Sequence, residues 1–247
     1  MVKRVIINAD DFGLCESNTL GVISAHKDGI LTSATCMMGM PYAEYALNLA
    51  KEYPDLGVGI HLTLTVGKPV LPGDKTFTDE NGYFKKKKLY PNNKIEVDEQ
   101  ELYDEWKAQI EKFIAIAGKK PTHIDSHHHV HMLSWLNPIA KKLALEYDIP
   151  MRQRDQVLDT YEYVFVDERF YEEGVNYETL KEMLLDDSRE VVEVMNHVGF
   201  LDQPLYDMSS YNLPRMKELE IIKSQEMKEF VKEHNIELIN FSHIKKM

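Results

Sequence analysis

The stretch "RVIINADDFG", residues 4–13, decides the fold class of this chain of 247 residues. Its first half is an apolar, β-branched run, typical of a strand that is buried on both faces, and it ends abruptly in polar residues. Short strands and helices then alternate along the chain in seven or eight predicted units. Because parallel strands need a crossover helix between them, this alternation predicts a mainly parallel sheet. We expect an α/β fold that forms a single domain over residues 1–247, and the number of units favours a closed or nearly closed (β/α) TIM-like barrel over an open doubly wound sheet.

The other elements are predicted from their periodicity. The clearest helix is predicted at residues 98–118, where Leu102, Trp106, Ile110 and Phe113 recur at helical spacing. Another helix is predicted at residues 214–234, and residues 155–176 have no clear pattern. Further strands are predicted at residues 32–38, 57–64, 121–127, 149–153, 190–197 and 236–242. A long polar connection at about residues 65–97 interrupts the alternation, and connections of this length are usually functional lids or excursions.

Composition and charge exclude several classes of partner. The formal net charge of −12 predicts repulsion from nucleic acids and anionic membranes. No apolar run approaches the ~20 residues of a membrane span, and the first apolar run is too short for a signal peptide. Two cysteines, Cys15 and Cys36, do not suggest a disulfide scaffold. The chain has no glycine-rich phosphate loop. We therefore expect a cytoplasmic protein with a small-molecule substrate and neither a nucleic-acid nor a membrane partner.

Polar side chains stand at the carboxyl end of most predicted strands. In a (β/α) barrel, active sites form at this rim, from the loops that follow the strands. The convergence therefore predicts a catalytic site at the rim, built from residues that are distant in sequence. The residues concerned are Asn8, Asp10, Asp11, His61, His127, Arg152, His197, Ser242 and His243.

The pair Asp10 and Asp11 suggests a bound cation. Neighbouring side chains at the end of a strand point in different directions, so one carboxylate can bind a metal while the other stands beside the attacking water. Two carboxylates left close together would otherwise repel each other or share a proton. The alternative is that one aspartate caps the following helix, as this residue type often does.

The stretch "HIDSHHHVH", residues 123–131, contains five of the ten histidines. A regular strand cannot continue through so many imidazoles, so we expect it to break near His127, which becomes the best ligand candidate. His129 and His131 would line the cleft or support the ligands from behind. Asp125 is a local candidate to accept the N–H of a ligating imidazole.

His61 and His197 each have two interpretations. A lone histidine in an apolar strand is more often a hydrogen-bonded core residue, but Asp11 and the histidine tract on the same rim favour His61 as a ligand. One carboxylate and two histidines leave positions open for water and substrate, as catalytic metal sites do. His197 is either a buried structural residue or a general acid or base, because its ordinary pKa of ~6.5 suits proton transfer.

Five segments together resemble the YdjC-like carbohydrate deacetylases, which include the chitooligosaccharide deacetylases. They are "NADDFG" (8–13), "GIHLTLT" (59–65), "HIDSHHHVHM" (123–132), "EVMNH" (193–197) and "YNLPRMKELEIIKS" (211–224), the last of which is similar to the family's closing Tyr-x(3)-Arg-x(2)-Glu-Leu pattern. The resemblance spans nearly the whole chain in the family's order. One departure is Val198, where family members often have proline.

The resemblance implies a fold, an irregular (β/α) TIM-like barrel, and a function. It implies a hydrolase that removes the acetyl group from N-acetylated sugars or chitooligosaccharides and releases acetate, with one divalent metal ion held by Asp11, His61 and His127. It also implies Asp10 as the base that activates water, magnesium as the metal and a homodimer as the assembly. Two imidazole ligands suit Zn²⁺ or another late transition ion better than Mg²⁺, which prefers oxygen ligands.

Two other classes of function compete with this prediction. Another metal-dependent barrel enzyme, such as an aldolase or a two-metal phosphoesterase, is one; the phosphoesterase would need further ligands, which His129 or His131 could supply. A non-catalytic protein that binds metal or sugar is the other. Only Asp10 argues against it, because that carboxylate has no obvious use if Asp11 alone binds the metal.

Overall fold

The computed structural model describes residues 3–86 and 94–247. Its strands are β1 (Arg4–Phe12), β2 (Ser33–Cys36), β3 (Gly57–Leu62), β4 (Ile124–Ser126), β5 (Phe165–Asp167), β6 (Val191–Asn196) and β7 (Glu237–Leu238). Its α-helices are α1 (Glu16–Asp28), α2 (Ala43–Ala50), α3 (Glu99–Ala117), α4 (Asn137–Tyr147), α5 (Tyr177–Leu185), α6 (Gln203–Met208), α7 (Leu213–Lys223) and α8 (Gln225–Glu233). Short 3₁₀ helices cover His127–Met132, Glu172–Gly174 and Phe241–His243.

One parallel sheet organises the molecule. Its strand order is β4-β3-β2-β1-β6-β5, and β7 pairs with the beginning of β1. The segment 151–153 joins the two edges, because Met151 forms a parallel bridge with Ile124 of β4 and Gln153 forms one with Phe165 of β5. The sheet therefore curls until its edges meet through this segment, with the helices around it. The predicted fold class, an irregular (β/α) barrel of mainly parallel strands, is confirmed.

Helix α3 shows how the sequence sets an element and its packing. The Asp98 side chain accepts hydrogen bonds from the main-chain N–H groups of Gln100 and Glu101, which caps the first turn. Gly118 ends the helix in a left-handed conformation with φ of 73°. The predicted apolar stripe, including Trp106 and Ile110, is fully buried. The prediction of a helix over residues 98–118 is therefore confirmed.

The carboxyl-terminal strand is shorter than predicted. Only Glu237–Leu238 pairs with β1, and it does so at Arg4 and Val5, the amino-terminal end of that strand. The Asn240 side chain accepts a hydrogen bond from Ser242 N and begins a 3₁₀ helix, so the extended backbone stops there. Ser242 and His243 are exposed and do not join the rim at the other end of β1, contrary to the prediction.

Two other elements also differ from the prediction. The helix predicted at 214–234 is divided into α7 and α8 at Ser224. The backbone of Ser224 is extended (ψ 147°), and its side chain accepts a hydrogen bond from Met227 N, which caps the new helix. Strand β5 lies in the segment 155–176, which has no clear pattern in the sequence. The strand contains only three residues, which is too short to show a periodicity. The strand predicted at 149–153 forms only isolated bridges.

The long connection between β3 and α3 packs against α3. The buried carboxylate of Glu105 accepts hydrogen bonds from Val70 N (2.8 Å) and Leu71 N (2.9 Å), which anchors the connection to the helix. Residues 87–93 of the predicted 65–97 excursion lie outside the described residues. Within residues 3–86 and 94–247, no helix combines the length and the apolar character that crossing a bilayer would require.

Candidate active site

The carboxyl ends of the strands open into a cleft of about 760 Å³. Asp10 and Asp11 reach it from β1, His61 reaches it from β3, and His127 follows β4 directly. Because all these strands are parallel, the side chains that follow them meet at one rim. His197, which follows β6 next to β1, and Arg215 of α7 also line the cleft.

The second of the two neighbouring aspartates has a left-handed backbone. Asp11 has a φ of 67°, and its carbonyl accepts a hydrogen bond from Leu14 N (3.0 Å) in the turn that follows. Such a backbone is unfavourable for a residue other than glycine and is often found at functional sites. Neither aspartate caps α1, whose N-cap is Cys15 without a side-chain hydrogen bond. The helix-cap interpretation of the pair is therefore wrong.

Asp11 meets two imidazoles. Its Oδ1 lies 2.9 Å from His127 Nδ1 and 3.4 Å from His61 Nε2, and the ligand atoms of the three side chains lie within 4.8 Å of one another. Asp11 and His61 are buried, and His127 is partly exposed to the cleft. The structure thus brings together the three residues predicted as metal ligands.

The register of two strands orients His61. His61 of β3 is the partner of Asp125 of β4, so both side chains point to the same side of the sheet. His61 Nδ1 lies 2.7 Å from Asp125 Oδ1, which leaves Nε2 directed at Asp11. The Thr35 hydroxyl donates to the other oxygen of Asp125 at 3.0 Å. Ligating histidines are commonly held by a carboxylate in this way.

The charge around His61 is strongly negative. Burial lowers its pKa, but the nearby carboxylates of Asp125 and Asp10 outweigh burial and raise the pKa to about 10. These carboxylates therefore favour positive charge at this position, and they would stabilise a metal ion bound there in the same way.

The histidine tract leaves the strand at the expected point. Strand β4 ends at Ser126, and His128 and His129 both have left-handed backbones with φ of 56° and 51°. This turn separates the directions of successive imidazoles. His129 lines the cleft and its Nε2 lies 3.3 Å from Glu168 Oε1, away from the three-residue group that contains His127.

His131 is fully buried beneath the rim. Its Nδ1 forms a hydrogen bond with the Ser126 hydroxyl, and its Nε2 lies 3.0 Å from the Arg152 carbonyl oxygen. Burial lowers the pKa of His131 to about 3, so this imidazole is neutral. Of the two expectations for this residue, the structure places it behind the site and not in the cleft.

Arg152 is the centre of a buried ionic network. Its Nη1 and Nη2 donate to the two oxygens of Asp10 at 2.8 and 2.6 Å. The same guanidinium lies 3.0 Å from Asp125 Oδ2 and 2.5 Å from Glu193 Oε1. Burial raises the pKa of Asp10, but Arg152 and His61 more than offset it and hold that pKa well below its ordinary value. Asp10 is therefore an ionised carboxylate. Glu193 was not predicted, although an acidic residue inside the apolar run "VVEVM" was a usable signal.

His197 lines the cleft between two tyrosines. Its ring centroid lies 5.5 Å from that of Tyr171 and 5.3 Å from that of Tyr211. Its Nδ1 is buried and has no hydrogen-bond partner among the described residues. Burial lowers the pKa of His197 to about 4, so the imidazole is neutral near pH 7.

Arg215 is a site residue to which the sequence assigned no role. Its Nη2 donates to Asp11 Oδ2 at 2.6 Å, its Nε donates to the Tyr211 carbonyl at 2.6 Å and its Nη1 donates to the His197 carbonyl at 3.3 Å. It is almost completely buried, at 2% exposure. The signal was available, since Arg215 is the arginine of the closing Tyr-x(3)-Arg-x(2)-Glu-Leu segment.

Comparison with known proteins places this arrangement in a family. The sequence profile of the YdjC-like proteins matches residues 4–233. The chain belongs to the YdjC-like family. This YdjC-like protein is 41% identical to the carbohydrate deacetylase of Clostridium beijerinckii, over 98% of the chain and 100% of the relative. It is 39% identical to the carbohydrate deacetylase of Brevibacillus brevis, over 98% and 99% of the two chains.

A solved structure shares the whole fold. It is that of a protein from Enterococcus faecalis V583 that carries the provisional name of a cellobiose-phosphate cleavage protein. The two structures agree with a TM-score of 0.87 at 36% identity, and the match covers 98% of each chain. The shared fold therefore includes the strands and loops that build the cleft.

Proposed function

We propose that this YdjC-like protein is a metal-dependent deacetylase that hydrolyses the N-acetyl amide of an acetylated sugar and releases acetate. The observation that carries the proposal is the division of labour between Asp10 and Asp11. Asp11 contacts the two imidazoles, whereas Asp10 faces the same cleft with its own guanidinium partner. The names of the two curated relatives, both carbohydrate deacetylases, support the same activity.

The residues present fit a divalent metal ion. Asp11, His61 and His127 offer one carboxylate oxygen and two imidazole nitrogens in one small space. The buried Arg152 guanidinium is shared among the carboxyl groups of Asp10, Asp125 and Glu193, and Arg215 contacts Asp11, so the site contains acidic groups that would stabilise a bound cation. The resemblance to the family favours Mg²⁺, but two nitrogen ligands favour Zn²⁺ or another transition ion.

Asp10 is the base in this proposal. A bound ion would polarise the amide carbonyl and make water easier to deprotonate. Asp10 is ionised, lines the cleft and is fixed by two hydrogen bonds from Arg152, so its carboxylate is ready to receive the proton of the attacking water. Arg152 and Asp125 position Asp10 and His61 from behind the cleft.

We assign protonation of the leaving amine to His197. Because its pKa of about 4 makes it neutral in the free protein, the proton that it delivers has to arrive during the reaction. The proton that water loses to Asp10 is available for this purpose. His197 lines the same cleft and directly follows β6, the neighbour of β1, so a substrate held beside Asp10 would bring its leaving nitrogen near this imidazole.

A two-metal phosphoesterase is less well supported. A second ion would need ligands beside the first, and the Arg152 guanidinium already occupies the space among Asp10, Asp125 and Glu193. His131 uses both ring nitrogens in hydrogen bonds, and His129 faces Glu168. Metal analysis should therefore find one ion per chain; two ions per chain would favour the phosphoesterase.

Measured turnover distinguishes the proposed enzyme from a non-catalytic protein that binds metal or sugar. The experiment strips the protein of metal, supplies Zn²⁺, Mg²⁺, Co²⁺ or Mn²⁺, and measures acetate released from N-acetylglucosamine and from chitooligosaccharides of increasing length. Acetate release that depends on the added ion supports the proposal. Tight binding of one ion without acetate from any of these sugars would favour the binding protein.

The assembly and the location are further expectations. A homodimer and a cytoplasmic location are carried over from the sequence and from the resemblance, and they stay predictions. Sedimentation velocity of the purified protein tests the homodimer, for which we expect a single species of twice the 28.7 kDa chain mass.

A further inference from the structure

Tyr171 presents an aromatic face in the cleft. It lines the same cleft as Asp11 and is 37% exposed, although most large aromatic side chains of the described residues are more deeply buried. One face of its ring stacks on Tyr211, with centroids 4.4 Å apart and planes at 11°. The His197 ring is a second neighbour, with its centroid 5.5 Å away, and the part of the Tyr171 ring that stays exposed is accessible to a ligand in the cleft.

The ring pair is held in place from behind. The Tyr211 hydroxyl donates to the buried carboxylate of Glu218 and accepts a hydrogen bond from Glu172 N at 3.3 Å. Glu172 directly follows Tyr171 and has a left-handed φ of 50°. A strained residue that other contacts hold in place is a recurrent feature of binding loops. Tyr171 is thus a fixed surface, which reduces the entropy lost when a ligand binds.

The pair also has a defined position relative to the proposed chemistry. Arg215 contacts Asp11 on one side and lies over the Tyr211 ring, with its Cζ 5.6 Å from the centroid. A series of contacts therefore leads outward from the carboxylate pair along one wall of the cleft, through Asp11, Arg215, Tyr211 and Tyr171. Along these contacts, Tyr171 is the member farthest from the imidazoles of His61 and His127.

We propose that Tyr171 is a sugar-binding subsite that stacks against the apolar face of a pyranose ring next to the ring whose acetyl group reacts. The C–H groups on a pyranose face carry partial positive charge and pack on the negative face of an aromatic ring. The cleft volume lies in the upper part of the range of ligand pockets, which leaves room for more than one ring. This inference deepens the proposed function and rests on it only in taking an acetylated sugar as the ligand.

The test uses binding to metal-stripped full-length protein, so that it does not require turnover. Titration calorimetry with N,N′-diacetylchitobiose and with N-acetylglucosamine compares wild type with Tyr171→Ala. We expect Tyr171→Ala to weaken disaccharide binding about ten-fold, with little change for the monosaccharide. Tyr171→Phe keeps the ring and should bind the disaccharide as wild type does.

Tyr45→Ala is the matched control. Tyr45 has a similar exposure of 41% but lies on α2, outside the residues that line the cleft. Equal disaccharide affinity in wild type and Tyr171→Ala, or no disaccharide binding to wild type, would overturn the proposal. Tyr171-dependent binding without acetate release under any metal condition would contradict the proposed activity but leave the subsite intact.

Discussion

Asp10 and Asp11 are neighbours in the sequence, yet each pairs with a different buried arginine. Asp10 accepts two hydrogen bonds from Arg152, which follows β4 and α4, and Asp11 accepts one from Arg215 of α7. The left-handed backbone of Asp11 separates the two carboxylates. Asp11 thereby contacts both imidazoles, whereas Asp10 is held by Arg152, which is the division that a separate metal ligand and base require.

The first prediction concerns the metal. His61→Ala and His127→Ala each remove one nitrogen ligand, so we expect both variants to lose bound metal and acetate release. Asp125→Asn keeps the shape but weakens the hold on His61 Nδ1, and should lower metal affinity about ten- to a hundred-fold. Metal content after dialysis and competition with a chelator measure these losses. His234→Ala, an exposed histidine on the surface, should bind metal as wild type does.

A second prediction concerns Arg215. Arg215→Lys keeps the positive charge but cannot contact Asp11, Tyr211 and His197 together. We expect weaker metal binding at unchanged net charge, because Asp11 loses its fixed orientation. An affinity equal to that of wild type would show that Arg215 matters only for the wall of the cleft.

Arg152 should be needed for folding stability as well as for positioning Asp10. Arg152→Met leaves the buried carboxylates of Asp10, Asp125 and Glu193 without their shared cation. We expect the free energy of unfolding to fall by about 3–5 kcal/mol, the usual cost of breaking a buried ion pair from one side. Arg154→Met removes a 58% exposed partner of Glu168 and should cost less than about 1 kcal/mol. Similar losses in the two variants, measured by urea denaturation, would refute the ranking.

His131 makes one contribution to the pH dependence of stability. Its pKa is about 3 in the folded protein, because burial disfavours the charged form, and ~6.5 in the unfolded chain. Below pH ~6.5 the unfolded chain binds the additional proton, so this contribution is present above that pH and is lost as the pH falls toward 3. The expected slope is about 1.4 kcal/mol per pH unit for this one group. His131→Gln should unfold with a shallower dependence on pH between 6 and 4 than wild type; an unchanged slope would contradict this assignment.

The sequence predicted the parts of the molecule that local patterns encode. Helix α3 lies between Asp98 and Gly118, and strand β4 ends before His127, as expected. These positions could be predicted because they depend on helix capping and on side-chain type. The convergence of Asp11, His61 and His127 could be predicted because parallel strands all end at one rim.

Other features depend on contacts between distant segments. Strand β5 is too short to show alternation, and the division at Ser224 depends on one side-chain cap inside a continuous helical pattern. The carboxylate partners of Arg152 come from three strands, β1, β4 and β6, and that of Arg215 comes from β1. No spacing in the sequence could reveal these contacts. Tyr171 lies in the segment that had no readable periodicity.

The most direct test of the central claim is acetate release by Asp10→Asn compared with wild type, each loaded with a measured amount of the same ion. We expect both proteins to hold one ion per chain, wild type to release acetate from N,N′-diacetylchitobiose, and Asp10→Asn to do so at least about a hundred-fold more slowly. Release at the wild-type rate by metal-loaded Asp10→Asn would contradict the assignment of Asp10 as the base. Failure of metal-loaded wild type to release acetate from any N-acetylated sugar would contradict the activity itself.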